Sequence, residues 1–188
     1  MPVFEAQNPN FESAVRESFD GLALMRTIGA TLGQVTAGEV EIILPFRNDL
    51  TQHHGFMAAA ALTAVIDVAC GYAAMTLMPA GSSVVTIEYK ANFLAPARGE
   101  RMVARGRVIR PGHTMTVCAG DVVAVDGQTE RPVATLLATM MRVAGDHPAS
   151  RPETTTRAQQ TPAHPRGGRP WCLCDAWNKH RRDVTAPV

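Results

Sequence analysis

A long apolar stretch, residues 50–77, constrains the fold of this chain more than any other part of its sequence. It begins with a polar loop and becomes almost wholly apolar from Phe56 onward. The abundance of Ala, Met and Leu favours helix, and the stretch is too long for one strand. A helix over residues 57–77 would be roughly 30 Å long, and a helix that is apolar on all sides must be surrounded by protein or by lipid.

The single acidic residue of this stretch, Asp67, distinguishes between those two surroundings. It lies near the middle, where a charge is most costly in a bilayer, and no Lys or Arg closely flanks either end. We therefore predict a core helix surrounded by protein, with Asp67 buried in it. A buried carboxylate needs a hydrogen bond, a charged partner or a proton. Asp67 is thus either a structural carboxylate or a nucleophile or general base in a cleft, and both interpretations stay open.

The rest of the chain predicts one short helix and a series of strands. Asn8 and Pro9 indicate the start of an amphipathic helix, whose apolar face carries Phe11, Val15, Phe19 and Leu22. Strands are predicted near residues 39–46, 83–94, 101–110, 113–125 and 132–143. In the second of these we expect one face to be formed by Val85, Ile87, Tyr89, Ala91 and Phe93. Strands joined by short turns favour an antiparallel sheet with the apolar helix packed across its concave face, an α+β fold.

Composition excludes several classes of function. The formal net charge of +1 predicts neither a nucleic-acid surface nor a polybasic membrane surface. The four cysteines suggest no disulfide framework, and the first residues do not resemble a signal peptide, so we expect a cytoplasmic protein. Residues 1–143 are predicted to form the domain and residues 144–188, rich in proline, a disordered tail. Two cysteines and a histidine in that tail match no zinc pattern, so no metal site is predicted there: Cys172, Cys174 and His180.

Three segments carry a resemblance to a known family. They read LTQHHGF at residues 50–56, ALTAVIDVACGYAA at 61–74 and VTIEYKANFLAPARGE at 85–100. Together they resemble the PaaI-like branch of the hot-dog-fold thioesterases, over roughly residues 11–143. The resemblance implies a sheet wrapped around the central helix, a homodimer or homotetramer with active sites between subunits, and hydrolysis of acyl-CoA thioesters with medium-chain or aromatic acyl groups, without a metal or an organic cofactor.

The resemblance also implies roles for individual residues. Asp67 matches the catalytic carboxylate, Gln52 the loop residue that orients the thioester or the water, and Ala59 the backbone N–H that polarises the carbonyl. His54 and Gly55 match the loop before the helix. The residues expected to bind substrate are Phe56, Met57, Ala58, Gly71, Thr86 and Tyr89. Asp67 follows Ala59 by more than two helical turns, so the two cannot reach one carbonyl from the same helix. The resemblance resolves this by placing Asp67 against the loop of a partner subunit.

More distant parts of the substrate have weaker candidates. An acyl tunnel would be lined by Met57, Ala61, Val65, Tyr72, Met75 and Tyr89, although such residues are more often plain core. The CoA phosphates could be reached by Arg98, Arg107, Arg110 and His113.

One departure from the family separates two functions. Ala58-Ala59-Ala60 stands where the family usually carries His-Gly-Gly or His-Ala-Gly. An alanine N–H can still serve as the oxyanion donor, but the imidazole is missing. The sequence therefore predicts an acyl-CoA thioesterase, with a catalytically weakened relative that binds acyl-CoA or acts as a structural or regulatory subunit as the alternative. A hot-dog dehydratase, which needs that histidine, is disfavoured.

Overall fold

The structure, a computed structural model, describes residues 4–144. Two short helices, α1 (Phe11–Gly21) and α2 (Ala23–Ile28), precede the long helix α3 (Ala59–Met75). The strands are β1 (Thr31–Thr36), β2 (Glu39–Pro45), β3 (Ser82–Phe93), β4 (Arg101–Arg110), β5 (Met115–Asp126) and β6 (Thr129–Ala144). They form one antiparallel sheet in the order β1-β2-β4-β5-β6-β3, so that β1 and β3 are its edges.

The buried face of the sheet packs against α3. Alternate residues of the strands point towards the helix, as Val40, Ile42 and Leu44 do in β2 and Leu136, Ala138 and Met140 do in β6. The helix itself is buried on most of its surface, including Val65, Ile66 and Ala69. A sheet wrapped around one apolar helix is the predicted α+β arrangement, and it has the layout that the hot-dog resemblance implies.

Two glycines allow α3 to approach the sheet closely. Gly106 of β4 and Gly120 of β5 are paired in register beneath the helix. A Cβ at Gly106 would lie 2.3 Å from the carbonyl carbon of Ala69, and a Cβ at Gly120 would lie 2.7 Å from Ile66 Cγ1. Both distances are far shorter than van der Waals contact. The missing side chains therefore determine how deeply α3 sits in the sheet.

A buried hydroxyl just after α3 connects the end of this helix to the turn between β1 and β2. Thr76 is fully buried, and its Oγ1 accepts a hydrogen bond from the Gly38 N–H at 2.7 Å. The same hydroxyl donates to the Ala73 carbonyl at 2.7 Å. Gly38 lies in the turn between β1 and β2 and has a φ of 83°, which favours glycine.

The structure corrects several details of the sequence prediction. The strand β1 was not predicted, because its sequence is polar and a register shift between Leu32 and Val35 breaks its alternation. The first helix begins after Asn10 rather than at Pro9, and α3 excludes residues 57, 58, 76 and 77. Residues 145–188 of the predicted tail lie outside the described residues, and so do its cysteines and His180.

The prediction that five apolar residues of β3 share one face is wrong. A bulge between Thr86 and Glu88 shifts the register against β6. Beyond it, Tyr89 pairs with the buried Ala138, whereas Val85, before the bulge, pairs with Met141 on the other face. The extra residue reverses the alternation, because side chains point to opposite faces with a period of two.

Candidate active site

Asp67 lies in the middle of α3 and points towards the edge strand β3. The sequence predicted a fully buried Asp67. In the structure its side chain is only half-buried, because it faces a cavity. The Thr86 hydroxyl donates a hydrogen bond to Asp67 Oδ1 at 2.9 Å and lies 3.5 Å from Met140 Sδ. Burial raises the pKa of Asp67 above its ordinary value, and the hydrogen bond from Thr86 acts in the opposite direction. A carboxylate in such surroundings is a stronger base than one in water.

A cavity of about 540 Å³ opens beside this carboxylate, and we call it the Asp67 cavity. Its walls come from the junction of α1 and α2, from α3 and from the start of β3. The predicted substrate residues Gly71 and Thr86 line it, and so do the tunnel candidates Tyr72 and Met75. The Tyr72 hydroxyl donates to Ser18 Oγ at 3.1 Å, and burial raises the pKa of Tyr72.

The start of α3 is fixed by backbone hydrogen bonds. The Met57 N–H donates to the Ala97 carbonyl and the Ala58 N–H donates to the Leu50 carbonyl, both at 2.9 Å. The Ala58 carbonyl accepts hydrogen bonds from the first turn of the helix, and Ala58 has no side chain that could cap it. The exposed Ala59 and Ala60 thus present the N–H groups that a helix start cannot satisfy internally. Such groups suit a developing oxyanion.

The loop before the helix folds around Gln52. Its backbone N–H donates to the Phe56 carbonyl at 2.9 Å, and its carbonyl accepts from the Gly55 N–H at 2.9 Å. Gln52 Oε1 accepts a hydrogen bond from the His54 N–H, which leaves the side-chain NH2 group to donate to a ligand. Gly55 has a φ of 78°, as the tight turn requires. His53 and His54 are exposed, with ring centroids 4.0 Å apart.

A second cavity, of about 500 Å³, lies beside this loop, and we call it the Gln52 cavity. Gln52, Phe56, Met57 and Ala59 line it together with residues 93–97, which comprise the last residue of β3 and the four residues after it. The guanidinium of Arg98 lies 5.8 Å from the centroid of the Phe56 ring, so a cation lies beside this cavity.

The predicted site residues are thus divided between two places in one chain. Asp67, Gly71 and Thr86 surround the first cavity, and Gln52, Phe56, Met57 and Ala59 surround the second. Four other predicted site residues line neither of these two cavities, as the described residues form them: His54, Gly55, Ala58 and Tyr89. Ala61 and Val65 are core residues.

Arg107 lies on the opposite face of the sheet from α3, since it follows Gly106. Its Nη1 is 2.5 Å from Asp121 Oδ2. The candidate role of Arg107 in binding CoA phosphates is therefore not supported by its position.

Some lining residues could not have been found from the sequence. Ser18 and Leu22 come from α1 and its end, and they reach the Asp67 cavity only because α1 packs on α3 through Phe19 and Tyr72, whose ring centroids are 6.1 Å apart. Phe93 and Leu94 line the Gln52 cavity from the end of the edge strand. The apolar pattern of the first helix predicted that it packs on the domain but not what it covers.

Two other features are missing from residues 4–144: a cluster of metal-ligating side chains and a helix that could span a membrane. No group of three or more His, Cys, Asp or Glu side chains in this part of the chain is placed to hold a metal ion. None of the helices described here has the length and hydropathy needed to cross a membrane.

Comparisons with known proteins agree on one family. The family model described as the thioesterase superfamily matches residues 54–130. A crystal structure of a thioesterase family protein from Silicibacter pomeroyi is 42% identical, covers 72% of this chain and 99% of its own, and superposes with a TM-score of 0.70. A relative from Halobacterium salinarum, whose name describes it provisionally as an esterase, is 30% identical over 65% of this chain and 83% of its own. The PaaI protein of the Escherichia coli phenylacetic acid degradation operon shares the fold, with 17% identity, a TM-score of 0.66, and coverage of 74% of this chain and 98% of its own.

Proposed function

Because the chain belongs to the thioesterase superfamily and has the hot-dog fold, we propose that it hydrolyses acyl-CoA thioesters with medium-chain or aromatic acyl groups, with Asp67 as its catalytic carboxylate. The observation that carries this assignment is the position of Asp67. It is half-buried beside an open cavity, and within residues 4–144 a single hydroxyl is hydrogen-bonded to it. A purely structural carboxylate would be expected to have more partners, since burial of a charge is costly unless hydrogen bonds compensate for it.

The proposed reaction uses groups from both cavities. Asp67 either attacks the thioester carbon or removes a proton from the water that does so. The carbonyl oxygen gains negative charge, which the N–H groups at Ala59 and Ala60 stabilise. The C–S bond then breaks, and the CoA thiolate leaves and takes up a proton. Attack by water gives the carboxylic acid directly, whereas attack by Asp67 gives an anhydride with its carboxylate, which a water molecule then hydrolyses to the acid and free Asp67. The side-chain NH2 group of Gln52 orients the thioester or the water.

These groups meet across a subunit interface in the proposal. The edge strand β3 and the residue after it carry five large apolar side chains that are between 43% and 57% exposed: Val85, Ile87, Tyr89, Phe93 and Leu94. A long unpaired edge of this kind is a template for pairing with another chain. The Asp67 cavity includes the start of β3, and the Gln52 cavity includes its end. Antiparallel pairing of two copies along β3 would bring the start of one strand to the end of the other, and with them Asp67 to the partner's helix start.

Pairing along β3 can be tested by size. Ile87→Lys places a charge on the exposed edge, where Ile87 is 49% exposed. Sedimentation or light scattering should show a dimer or tetramer for the wild type and a shift towards monomer for the variant. A wild-type chain that is monomeric at the concentrations of the activity assay would contradict the composite site.

The catalytic assignment is tested by thiol release from a panel of acyl-CoA thioesters. The wild type should show turnover, and Asp67→Asn, which keeps the shape and can still accept the Thr86 hydrogen bond, should lose it. Absence of turnover in a folded wild type would overturn the enzymatic proposal and favour a binding or structural relative, with Ala58-Ala59-Ala60 as its mark. Full turnover in Asp67→Asn would overturn the role of this carboxylate alone.

A further inference from the structure

The Asp67 cavity extends along one face of α3. Asp67, Gly71 and Met75 are four residues apart, which places them on the same side of the helix, and all three line the cavity. Val84 and Thr86 of β3 form the facing wall, and Leu22 covers the cavity from the end of α1. The cavity therefore follows the helix from the catalytic carboxylate towards its C-terminal end.

The length of this groove is set by the helix. Eight residues separate Asp67 from Met75, which corresponds to about 12 Å at 1.5 Å per residue. An extended chain of C–C bonds of about 1.5 Å advances by about 1.3 Å per carbon. The groove thus has room for an extended acyl chain of about eight or nine carbons, which is a medium-chain acyl group.

Charge distinguishes the acyl end of a substrate from its nucleotide end. Among the described residues, no Lys or Arg lines the Asp67 cavity, and its walls are apolar or carry neutral hydroxyl groups apart from Asp67 itself. Arg98 lies instead beside the Gln52 cavity, over the ring of Phe56. An acyl chain suits the first cavity and the phosphates of CoA suit the second, because phosphate binding requires cationic or N–H donors.

Gly71 lies within this groove, one helical turn beyond Asp67. A Cβ built there would be 3.7 Å from Val84 Cγ1, which is ordinary van der Waals contact, so the first carbon of a side chain fits without displacing backbone. Further atoms would extend into the space between α3 and β3. Gly71 is thus the position where a side chain would close the groove after about four or five carbons of the acyl chain.

We propose that Gly71 determines the acyl-chain length accepted by this enzyme, by keeping open the groove between α3 and β3 that holds a medium-chain acyl group. This inference rests on the proposed thioesterase function. It goes beyond it by assigning the acyl end of the substrate to one cavity and its specificity to one residue.

The test compares kcat/KM for octanoyl-CoA and propionyl-CoA in the wild type, Gly71→Leu and Gly71→Ala. Gly71→Leu should lower the octanoyl-to-propionyl ratio at least tenfold, since pocket contacts worth one or more methylenes change kcat/KM by about that factor. Gly71→Ala adds one carbon in ordinary contact and should lower the ratio less. Met75→Leu changes the far end of the groove, so it should alter kcat/KM for decanoyl-CoA and should lower the octanoyl-to-propionyl ratio less than Gly71→Leu does.

The test separates failure of the Gly71 assignment from failure of the proposed function. Equal losses on both substrates in a folded Gly71→Leu, or an unchanged ratio, would overturn the assignment of Gly71 while leaving the thioesterase function intact. If Gly71→Leu does not fold, as judged by its thermal transition, an unchanged ratio in Gly71→Ala together with an unchanged decanoyl rate in Met75→Leu would overturn it. Absence of turnover in the wild type would overturn the proposed function and this inference with it.

Discussion

Replacement of Gly106 by alanine should damage both stability and activity, although it adds a single carbon. Gly106 lies in β4 beneath the middle of α3. The added Cβ would lie 2.3 Å from the carbonyl carbon of Ala69, 2.5 Å from its oxygen and 2.5 Å from the Cys70 nitrogen. All three atoms belong to the backbone, so no side chain can rotate away to make room.

The magnitude follows from these distances. Ordinary contact begins at 3.4 Å, so α3 and β4 must separate by about 1 Å, from the difference between 3.4 and 2.3 Å. Overpacking of a well-packed core costs about 1–3 kcal/mol, and we expect a value near the upper end because backbone must move. Asp67 lies two residues before Ala69 and moves with it. A misplacement of about 1 Å can reduce a rate about 100-fold.

Urea denaturation and thiol release together measure this prediction. The matched control for stability is Gly71→Ala, the same substitution on α3, where the Cβ would be in ordinary contact at 3.7 Å. Removal of a helical glycine should stabilise that variant by up to about 1 kcal/mol. If the free energy of unfolding of Gly106→Ala lies within about 0.5 kcal/mol of the wild-type value, the close approach of helix and sheet does not constrain the fold.

Three further substitutions test individual contacts. Thr86→Val removes the donor that stabilises the ionised carboxylate, so the pKa of Asp67 should rise. The acidic limb of the pH profile of kcat/KM should then move to higher pH, and an unmoved limb would show that the Thr86 hydrogen bond does not affect the catalytic carboxylate. Asp67→Asn should raise the thermal midpoint at neutral pH, because a raised folded-state pKa destabilises the ionised protein. In a melting series this gain should shrink as the pH falls through the raised pKa of Asp67 towards the ordinary value of 3.8 and should be absent below it, and a gain that is independent of pH would refute this reasoning. Thr76→Val leaves the Gly38 N–H without its acceptor and should cost about 1–3 kcal/mol in chemical denaturation, whereas a neutral effect would show that the contact does not contribute.

Local pattern was sufficient to predict the elements that hold the site. The apolar run around Asp67 predicted α3 to within two residues at each end, and the strand predicted over residues 101–110 is β4 as observed. Gln52 and Ala59 were placed correctly before and at the start of the helix. These features depend on residues that are close together in the sequence, and on a family resemblance that the comparisons confirm.

What could not be predicted depends on contacts between distant segments. The bulge after Thr86 reverses the faces of β3, and only the register against β6 reveals it. The role of Gly106 depends on the helix that packs over it, and no signal in β4 itself indicates this. The half-exposure of Asp67 results from the cavity between α1, α3 and β3, which involves three separate parts of the chain.

In the proposed active site, Asp67 of one subunit acts with the helix start and Gln52 of another. A mixed dimer tests it most directly: Asp67→Asn and Gln52→Ala chains, each inactive or strongly impaired alone, are co-expressed with different tags and the heterodimer is purified through both. One of its two sites then contains an unaltered Asp67 and an unaltered Gln52, so thiol release should recover to about half of the wild-type rate per dimer. A heterodimer as inactive as its parents would contradict the composite site and place the reaction within a single chain.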